Sequence, residues 1–366
     1  MSESMRELHV SKQDLREIRV VDRAPPPLAA GDARLRIDLF ALTANNITYA
    51  AMGDSGLGYW RFFPGPEGWG RPPCWGFATV TESHAEGVAV GSRYFGFYPV
   101  GERLDVTPVK VGPRGFVDGA AHRSAKAAVY NQYVDVAADP GYDADFEAEQ
   151  TLFRPLYATG WWAADDVLRG APRAVVLSSA SAKTALALAH QLRALGGPVP
   201  VALTSPRNEA YVRGTGLFER VLRYEAVEAL ASPGLPAPVT YVDFLGRDET
   251  NAAVHRTLGA TLARSILIGA TDWGDKAGGV QPPKTALPGP KPAFFFLPTY
   301  APARLKEAPE LGAAMQRDLR AFYPASRALV TARTRVGADA VLESWARLAA
   351  GDVAPDEGLV HRFAAA

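Results

Sequence analysis

Between Ala174 and Gly197 the chain reads AVVLSSASAKTALALAHQLRALGG: an apolar run, a polar turn, then apolar residues at helical spacing. Ser178, Ser179, Ser181, Lys183 and Thr184 gather hydroxyls and one cation around the N-terminus of the expected helix, whose N–H groups and dipole favour an anion. The chemistry open to such a turn is to hold a phosphate. The plain alternative is a strand followed by an ordinary N-capped helix. Glycine is absent from the turn, although close approach of a diphosphate to the backbone ordinarily calls for it. Lys183-Thr184 is like the end of a Walker motif, but both of that motif's glycines are missing.

The elements that must position this turn form an alternating series. Strands are expected at Ala174–Leu177, Val199–Thr204, Arg220–Arg223, Val239–Phe244, Arg264–Ile268 and Ala293–Leu297. Helices are expected from the turn to Leu195, around Asn208–Gly214 and around Glu249–Leu258. Apolar strands separated by helices mean a parallel sheet covered on both faces. Before this region the pattern is β-rich and irregular, with runs at Arg34–Leu39, Gly76–Thr81, Arg93–Pro99, Asp105–Lys110 and Tyr130–Val136. After it come helical stretches at Glu310–Phe322 and Ala338–Ala349, with a strand at Thr331–Val336. Thr271–Pro292, rich in Gly, Pro and Lys, reads as a long loop.

The 366 residues carry no net charge, which fits a globular protein of about two domains and argues against nucleic acid or an anionic membrane as partner. The charged start and the lack of a long apolar run predict a cytoplasmic protein without a membrane span. The single Cys74 leaves no intramolecular disulfide and no cysteine-rich zinc site. In that setting the Asn46-Ile47-Thr48 sequon carries no meaning. The six histidines are scattered, and none has a spacing that selects a role.

Several segments, in order, resemble the medium-chain dehydrogenase/reductase superfamily, and within it the zinc-free quinone oxidoreductase and enoyl reductase branch. LRIDLFALTANNITYAAMGD is similar to a strand carrying the A-x-N-x-x-D segment. PPCWGFATVTESHAEGVAVGSRYFGFYP is similar to the hallmark P-P-x-x-G-x-x-x-G-x-V…V-G-D-R-V-F-G, and LYATGWWAADDVL to the L-T-A-W-x-A-L helix. VLSSASAKTALALAHQLRALG and ALTSPRNEAYVRGTGLFERVLRYE occupy the places of V-x-G-A-A-G-G-V-G and T-x-S-x-x-K…L-G-A-D-x-V-I-x-Y. The resemblance spans most of the chain, and extends to a bacterial family designated only as a domain of unknown function. It implies an α/β protein: a GroES-like β-rich domain at 1–145 and 323–366, and a Rossmann-type doubly wound parallel sheet at 146–322. Homodimers are common in the superfamily.

Set beside the motif, Ala180, Ala182 and Ala185 stand where the fingerprint has glycines, so size is kept while backbone freedom is reduced. The hydroxyls and Lys183 are expected to compensate. At the end of the second parallel strand LTSPRN supplies Thr204, Ser205, Arg207 and Asn208 and no acid, which favours a 2′-phosphate and hence NADPH, with Tyr211 one turn on. By resemblance Thr159 meets the nicotinamide amide, and Gly269 and Leu297 edge its pocket.

For catalysis, Cys74 lies away from the zinc-ligand segment and no His-x-x-x-His pair occurs, so a reaction without metal is expected. Hydride transfer to a conjugated carbonyl then needs a hydrogen-bond donor and an acid. The resemblance puts Tyr59 first and Tyr49 second, although a tyrosine beside tryptophan is also ordinary packing. Asn46 stands in the place of the family's Asp and Thr43 in that of its Asn. Trp60, Phe62, Phe63, Trp69, Trp75, Trp161 and Trp162 suggest a small apolar or planar substrate. GDSG around Ser55 lacks the G-x-S-x-G elbow of a hydrolase. The expected activity is NADPH-dependent reduction of an enone, quinone or enoyl thioester. The competing expectations are a noncatalytic protein that keeps NADPH as a structural or sensing ligand, and a protein that has lost the nucleotide altogether.

Overall fold

A computed structural model describes residues 4–55, 57–269 and 287–364, and the chain divides into two compact units. One holds residues 4–152 and 316–364; the other holds 153–269 and 287–315. Of the expected loop Thr271–Pro292, residues 271–286 lie outside the described residues.

The second unit is built on six strands, all parallel, in the spatial order Arg220–Arg223, Val201–Thr204, Ala174–Leu177, Val239–Asp243, Leu262–Leu267 and Ala293–Phe294. The chain enters at the middle, winds to one edge, then crosses back and winds to the other. The order therefore reverses between Ala174–Leu177 and Val239–Asp243, the place where doubly wound sheets bind ligands. Val176, Val201, Leu203, Val239 and Tyr241 pack on one face with Val254 and Leu258 of the helix Asp248–Leu258. Ala202 and Val221 pack on the opposite face with Ala180 and Val212. Both faces are buried, which is why these strands read as continuous apolar runs. Each fully buried Val or Leu stabilises the fold by about 1.5–3 kcal/mol. The helix Lys183–Ala194 is met by the helix Glu147–Arg169 at Gly160, where a Cβ would lie 2.7 Å from the Leu188 nitrogen.

The first unit contains a nine-stranded sheet and a three-stranded sheet. The larger one runs Thr331–Val336, Glu357–Arg362, Ala33–Leu42, Pro73–Ser83, Arg93–Pro99, Gln132–Asp135, Gly115–Asp118 and Pro108–Gly112, with Arg103–Val106 also paired to Ala33–Leu42. Its pairs are antiparallel except Thr331–Val336 with Glu357–Arg362, which the helix Ala338–Ala349 connects as a parallel crossover must be connected. The three-stranded sheet joins Met5–Ser11 to Ile18–Arg23 and Trp69–Gly70. The architecture is a GroES-like β-rich domain with a Rossmann-type sheet.

Several sequence expectations are corrected. Asp105–Lys110 is two strands, because Thr107 turns its N–H to Asp118 Oδ1 and its hydroxyl to Asp32 Oδ1, and Pro108 has no N–H for the ladder. The strand Ala293–Leu297 stops at Phe294, and Leu297 opens the helix Leu297–Glu307 with Pro298 in its first turn. The segment read as a strand carrying A-x-N-x-x-D ends as a strand at Leu42; Thr43 then caps the helix Ala44–Ala51. No helix among the described residues is long and apolar enough to cross a membrane.

Candidate functional site

The polar turn after Ala174–Leu177 is held from two sides. Ser178, fully buried, donates its hydroxyl to Asp243 Oδ1 and accepts from the backbone N–H of Phe244 (2.9 Å) and Leu245 (3.1 Å). The Asp243 carboxylate also accepts from Asn251 Nδ2 (2.8 Å) and from the N–H of Leu245 and Gly246. The two strands flanking the switch point are thus tied together, and the loop after Asp243 is fixed. On the other side the Ser179 N–H donates to the Tyr224 hydroxyl (3.1 Å). Burial pushes that hydroxyl's pKa up to about 12, so it stays protonated.

The left-handed residue of the turn is Ser179, at φ +45°, and not Ala180 or Ala182. This corrects the expectation that alanine Cβ atoms sit at the strained bend. Ala180 N–H bonds to Leu203 O (3.2 Å) and its methyl is buried against Ala202, Val212 and Val221, while Ala182 has an ordinary extended backbone. A serine at positive φ costs on the order of 1 kcal/mol that glycine does not. Ser179→Gly is therefore expected to raise unfolding stability by about 0.5–1 kcal/mol, measured by urea denaturation, and a loss of stability would mean the serine hydroxyl matters more than the bend.

Beyond the bend, no side chain caps the helix Lys183–Ala194 and its first turn has no acid. Ser181, Ala182, Lys183 and Thr184 are half-buried there. Asn208, which ends the short turn Pro206–Asn208 after the second strand, donates Nδ2 to Ser181 Oγ (2.9 Å), so the two loops adjoin. Thr204 is 1% exposed with its hydroxyl unpartnered, and Asn208 Oδ1 is buried without a partner. Such orphaned groups ordinarily cost about 1–3 kcal/mol each; a phosphate oxygen can accept from the Thr204 hydroxyl, and the Asn208 oxygen needs a donor such as a bound hydroxyl. Ser205 is half-buried and Arg207 exposed on the same turn, and Tyr211 packs beside Ala180. Glu209, just after, holds Arg213 and Arg223. Thr159, half-buried in the helix Glu147–Arg169, donates its hydroxyl to Pro155 O (2.9 Å). Gly269 is the last described residue after the strand Leu262–Leu267, and Leu297 begins its helix. Trp161 and Trp162 are buried, one packed edge-on to the other.

Tyr224 and Asp243 escaped the sequence reading. Both follow or end a parallel strand at its carboxyl end, where ligands of such sheets bind, and that position is the signal that could have found them.

In the β-rich unit the tyrosines form one aromatic cluster. The capping box of Thr43 and Asn46 starts the helix that carries Tyr49: Asn46 Oδ1 accepts from the Thr43 N–H, and its Nδ2 donates to Pro73 O (2.8 Å). Tyr49 Oη accepts from Asn45 Nδ2 (2.6 Å) and Trp75 Nε1 (3.1 Å). Tyr59 follows Gly58, at φ +60°, and its ring lies 4.5 Å from that of Tyr49. Its hydroxyl meets Tyr130 Oη at 3.1 Å. Lys126 Nζ donates to Leu57 O and Gly58 O, fixing the approach to Tyr59. Trp60 fills space over Gly53 and Gly70 that any Cβ there would invade. Burial pushes the hydroxyls of Tyr49, Tyr59 and Tyr130 well above the ordinary tyrosine range, so all three hold their protons. Ser55 donates its hydroxyl to Met52 O (2.7 Å). Cys74 is buried and burial raises its thiol, and no group of three His, Cys, Asp or Glu residues among those described could hold a metal.

Solved structures share this architecture over nearly the whole chain. CurA from Vibrio vulnificus in complex with NADPH is 15% identical with a TM-score of 0.60, covering 99% of this chain and 100% of that one. The mycobacterial protein Rv1454c complexed with NADPH is 14% identical with a TM-score of 0.62, covering 98% and 99%. A mutant form of enoyl thioester reductase from Candida tropicalis is 11% identical with a TM-score of 0.56, covering 99% and 100%. At these identities the likeness establishes the fold alone. Within it, residues 40–354 match the model of the family described as protein of unknown function (DUF2855), and the chain belongs to that family. No curated protein matches.

Proposed function

We propose that the protein is an NADPH-dependent reductase of an activated double bond or carbonyl, working without metal. Residues 146–322 would form the dinucleotide-binding domain, and 1–145 with 323–366 the domain that holds the substrate. The observation that carries the reading is the uncapped N-terminus of Lys183–Ala194 at the switch point, flanked by the orphaned Thr204 hydroxyl and Asn208 carbonyl oxygen. These groups fit a dinucleotide: the helix N-terminus, Ser181, Thr184 and Lys183 suit the diphosphate, and Thr204, Ser205, Arg207 and Asn208 suit a phosphorylated ribose. Two structures with the same fold are described as NADPH complexes, which supports the choice of coenzyme. When bound, NADPH supplies a hydride. Tyr59, whose buried hydroxyl keeps its proton, would serve as the acid toward the substrate, among aromatic rings that would exclude water. A homodimer in the cytoplasm belongs to the same reading.

A second reading, a noncatalytic NADPH-binding protein, is favoured by Asn46. Its amide is spent on the helix cap and on Pro73 O where the resemblance expects an acid. Steady NADPH oxidation with enones, quinones or enoyl thioesters supports the reductase, and tight NADPH binding with no turnover supports the second reading. For the coenzyme site, Arg207→Ala is expected to weaken NADPH by roughly 10–100-fold, the worth of a charge-assisted phosphate contact, while NADH changes less than about threefold. Equal weakening of both coenzymes in a calorimetric titration would remove the assigned phosphate contact.

A further inference from the structure

We propose that the loop Phe244–Gly246 offers hydrogen-bond acceptors to the ribose hydroxyls of the coenzyme's nicotinamide half, and that Asp243 and Ser178 are the positioning residues that turn it so. The inference rests on the coenzyme assigned above. The loop leaves the strand Val239–Asp243 at the carboxyl end of the parallel sheet, across the switch point from the polar turn after Ala174–Leu177. Its three N–H groups all point back to the strand ends. Phe244 N–H donates to Ser178 Oγ (2.9 Å), Leu245 N–H to Ser178 Oγ and Asp243 Oδ1 (3.1 and 2.9 Å), and Gly246 N–H to both Asp243 oxygens (3.2 Å each). A trans peptide sets its C=O opposite to its N–H, so the carbonyl oxygens of Phe244 and Leu245 face away from Ser178 and Asp243. Both residues are buried, and among the described residues neither of these oxygens accepts a hydrogen bond. A buried carbonyl in that position calls for a donor.

A loop whose N–H groups are spent has nothing to give a phosphate, which takes donors, and suits a group that donates. The uncapped N-terminus of Lys183–Ala194 takes the diphosphate in the reading above, and the residues after Val201–Thr204 take the adenosine side. The strand order then leaves the nicotinamide ribose for the loop after Val239–Asp243, and the two hydroxyls of that sugar are donors of the required kind. Asp243 holds the orientation. Fully buried, it also accepts from Asn251 Nδ2 (2.8 Å) and the Ser178 hydroxyl, and its own carbonyl oxygen accepts from the Ile268 N–H (3.0 Å). An amide in place of this carboxylate would set N–H against the N–H groups it now receives. Asp243 and Ser178 act through the loop.

The test is calorimetric titration of the full chain with NADPH and with 2′,5′-ADP, a fragment that holds the phosphorylated adenosine and stops short of the nicotinamide ribose. Asp243→Asn is expected to weaken NADPH by roughly 10–100-fold and 2′,5′-ADP by less than about twofold. Ser178→Ala, which removes the oxygen that receives Phe244 and Leu245, is expected to act in the same direction by about 3–10-fold. NADPH lacking both hydroxyls of its nicotinamide ribose is expected to bind the wild type about 10–100-fold more weakly than NADPH, and Asp243→Asn to bind the two alike, since the same contact is not lost twice. Urea unfolding shows whether each variant is folded; if Asp243→Asn is not, Ser178→Ala takes its place. Equal weakening of NADPH and 2′,5′-ADP in a folded variant, unchanged NADPH affinity, or the same loss for the deoxygenated coenzyme in wild type and variant overturns the inference and leaves the coenzyme in place. A wild-type protein that binds neither NADPH nor 2′,5′-ADP overturns both.

Discussion

Tyr59→Phe is expected to lower kcat for NADPH oxidation by roughly 100-fold or more, the usual contribution of a positioned general acid. The change removes one oxygen and keeps the ring. Packing against Tyr49 and Phe62 is retained, and the variant should fold. The hydroxyl lost has only Tyr130 as a hydrogen-bond partner among the described residues, and its removal leaves the buried Tyr130 hydroxyl without that bond, at a cost of about 1–3 kcal/mol in stability. NADPH affinity should be unchanged, since the residues assigned to its phosphates lie on the other unit. A titration of NADPH beside the rate measurement separates the outcomes. An unchanged turnover number removes Tyr59 as the proton donor; a fall in rate accompanied by lost NADPH binding means the variant is damaged elsewhere.

The parallel sheet was legible because burial on both faces leaves uninterrupted apolar runs. Ala174–Leu177 and Arg220–Arg223 were located from four residues each. Met5–Ser11 was not, because its sequence MRELHVS alternates charge with hydrophobicity. The structure buries Glu7 and His9 together, with Arg71 against the carboxylate, so polar residues face inward where a pattern rule expects apolar ones. The helix Ala44–Ala51 was hidden by its β-branched Ile47 and Thr48 and by a cap of Thr43 with Asn46 in place of the usual Glu or Gln.

At the candidate site the residue types were legible and their partners were not. Hydroxyls and a lysine at a strand–helix turn can be read from SSASAKT. That Ser179 takes the bend instead of Ala180 is a matter of backbone geometry one residue away, below the resolution of a motif comparison. Tyr224 reaches Ser179, Asp243 reaches Ser178 and Tyr130 reaches Tyr59 across long stretches of chain. Only the strand order brings each pair together, and one sequence does not contain it.

The strand Glu357–Arg362 carries a further consequence, in stability. His361 is fully buried, stacked on Phe40, with neither ring nitrogen hydrogen-bonded. Arg335, its register partner on Thr331–Val336, opposes a second positive charge, and Glu343 on the helix Ala338–Ala349 only partly offsets it. Burial first, and Arg335 second, lower the imidazole from the ordinary 6.5 to about 4. The folded ring is therefore neutral at pH values where the unfolded chain already binds a proton. Stability from this group is fully present above about pH 6.5 and is lost as pH falls toward 4, below which both states are protonated and the loss levels off. The lost amount approaches ~3 kcal/mol for a shift of this size. His361→Leu has no proton to bind, and replacing two unpaired nitrogens by apolar atoms should leave stability at pH 7 close to wild type. Urea unfolding at a series of pH values should show the two proteins alike at pH 7 and the leucine variant the more stable by about 3 kcal/mol at pH 4. Parallel curves across that window would mean that His361 is hydrated or paired in solution and that the acid sensitivity of the fold comes from its carboxylates alone.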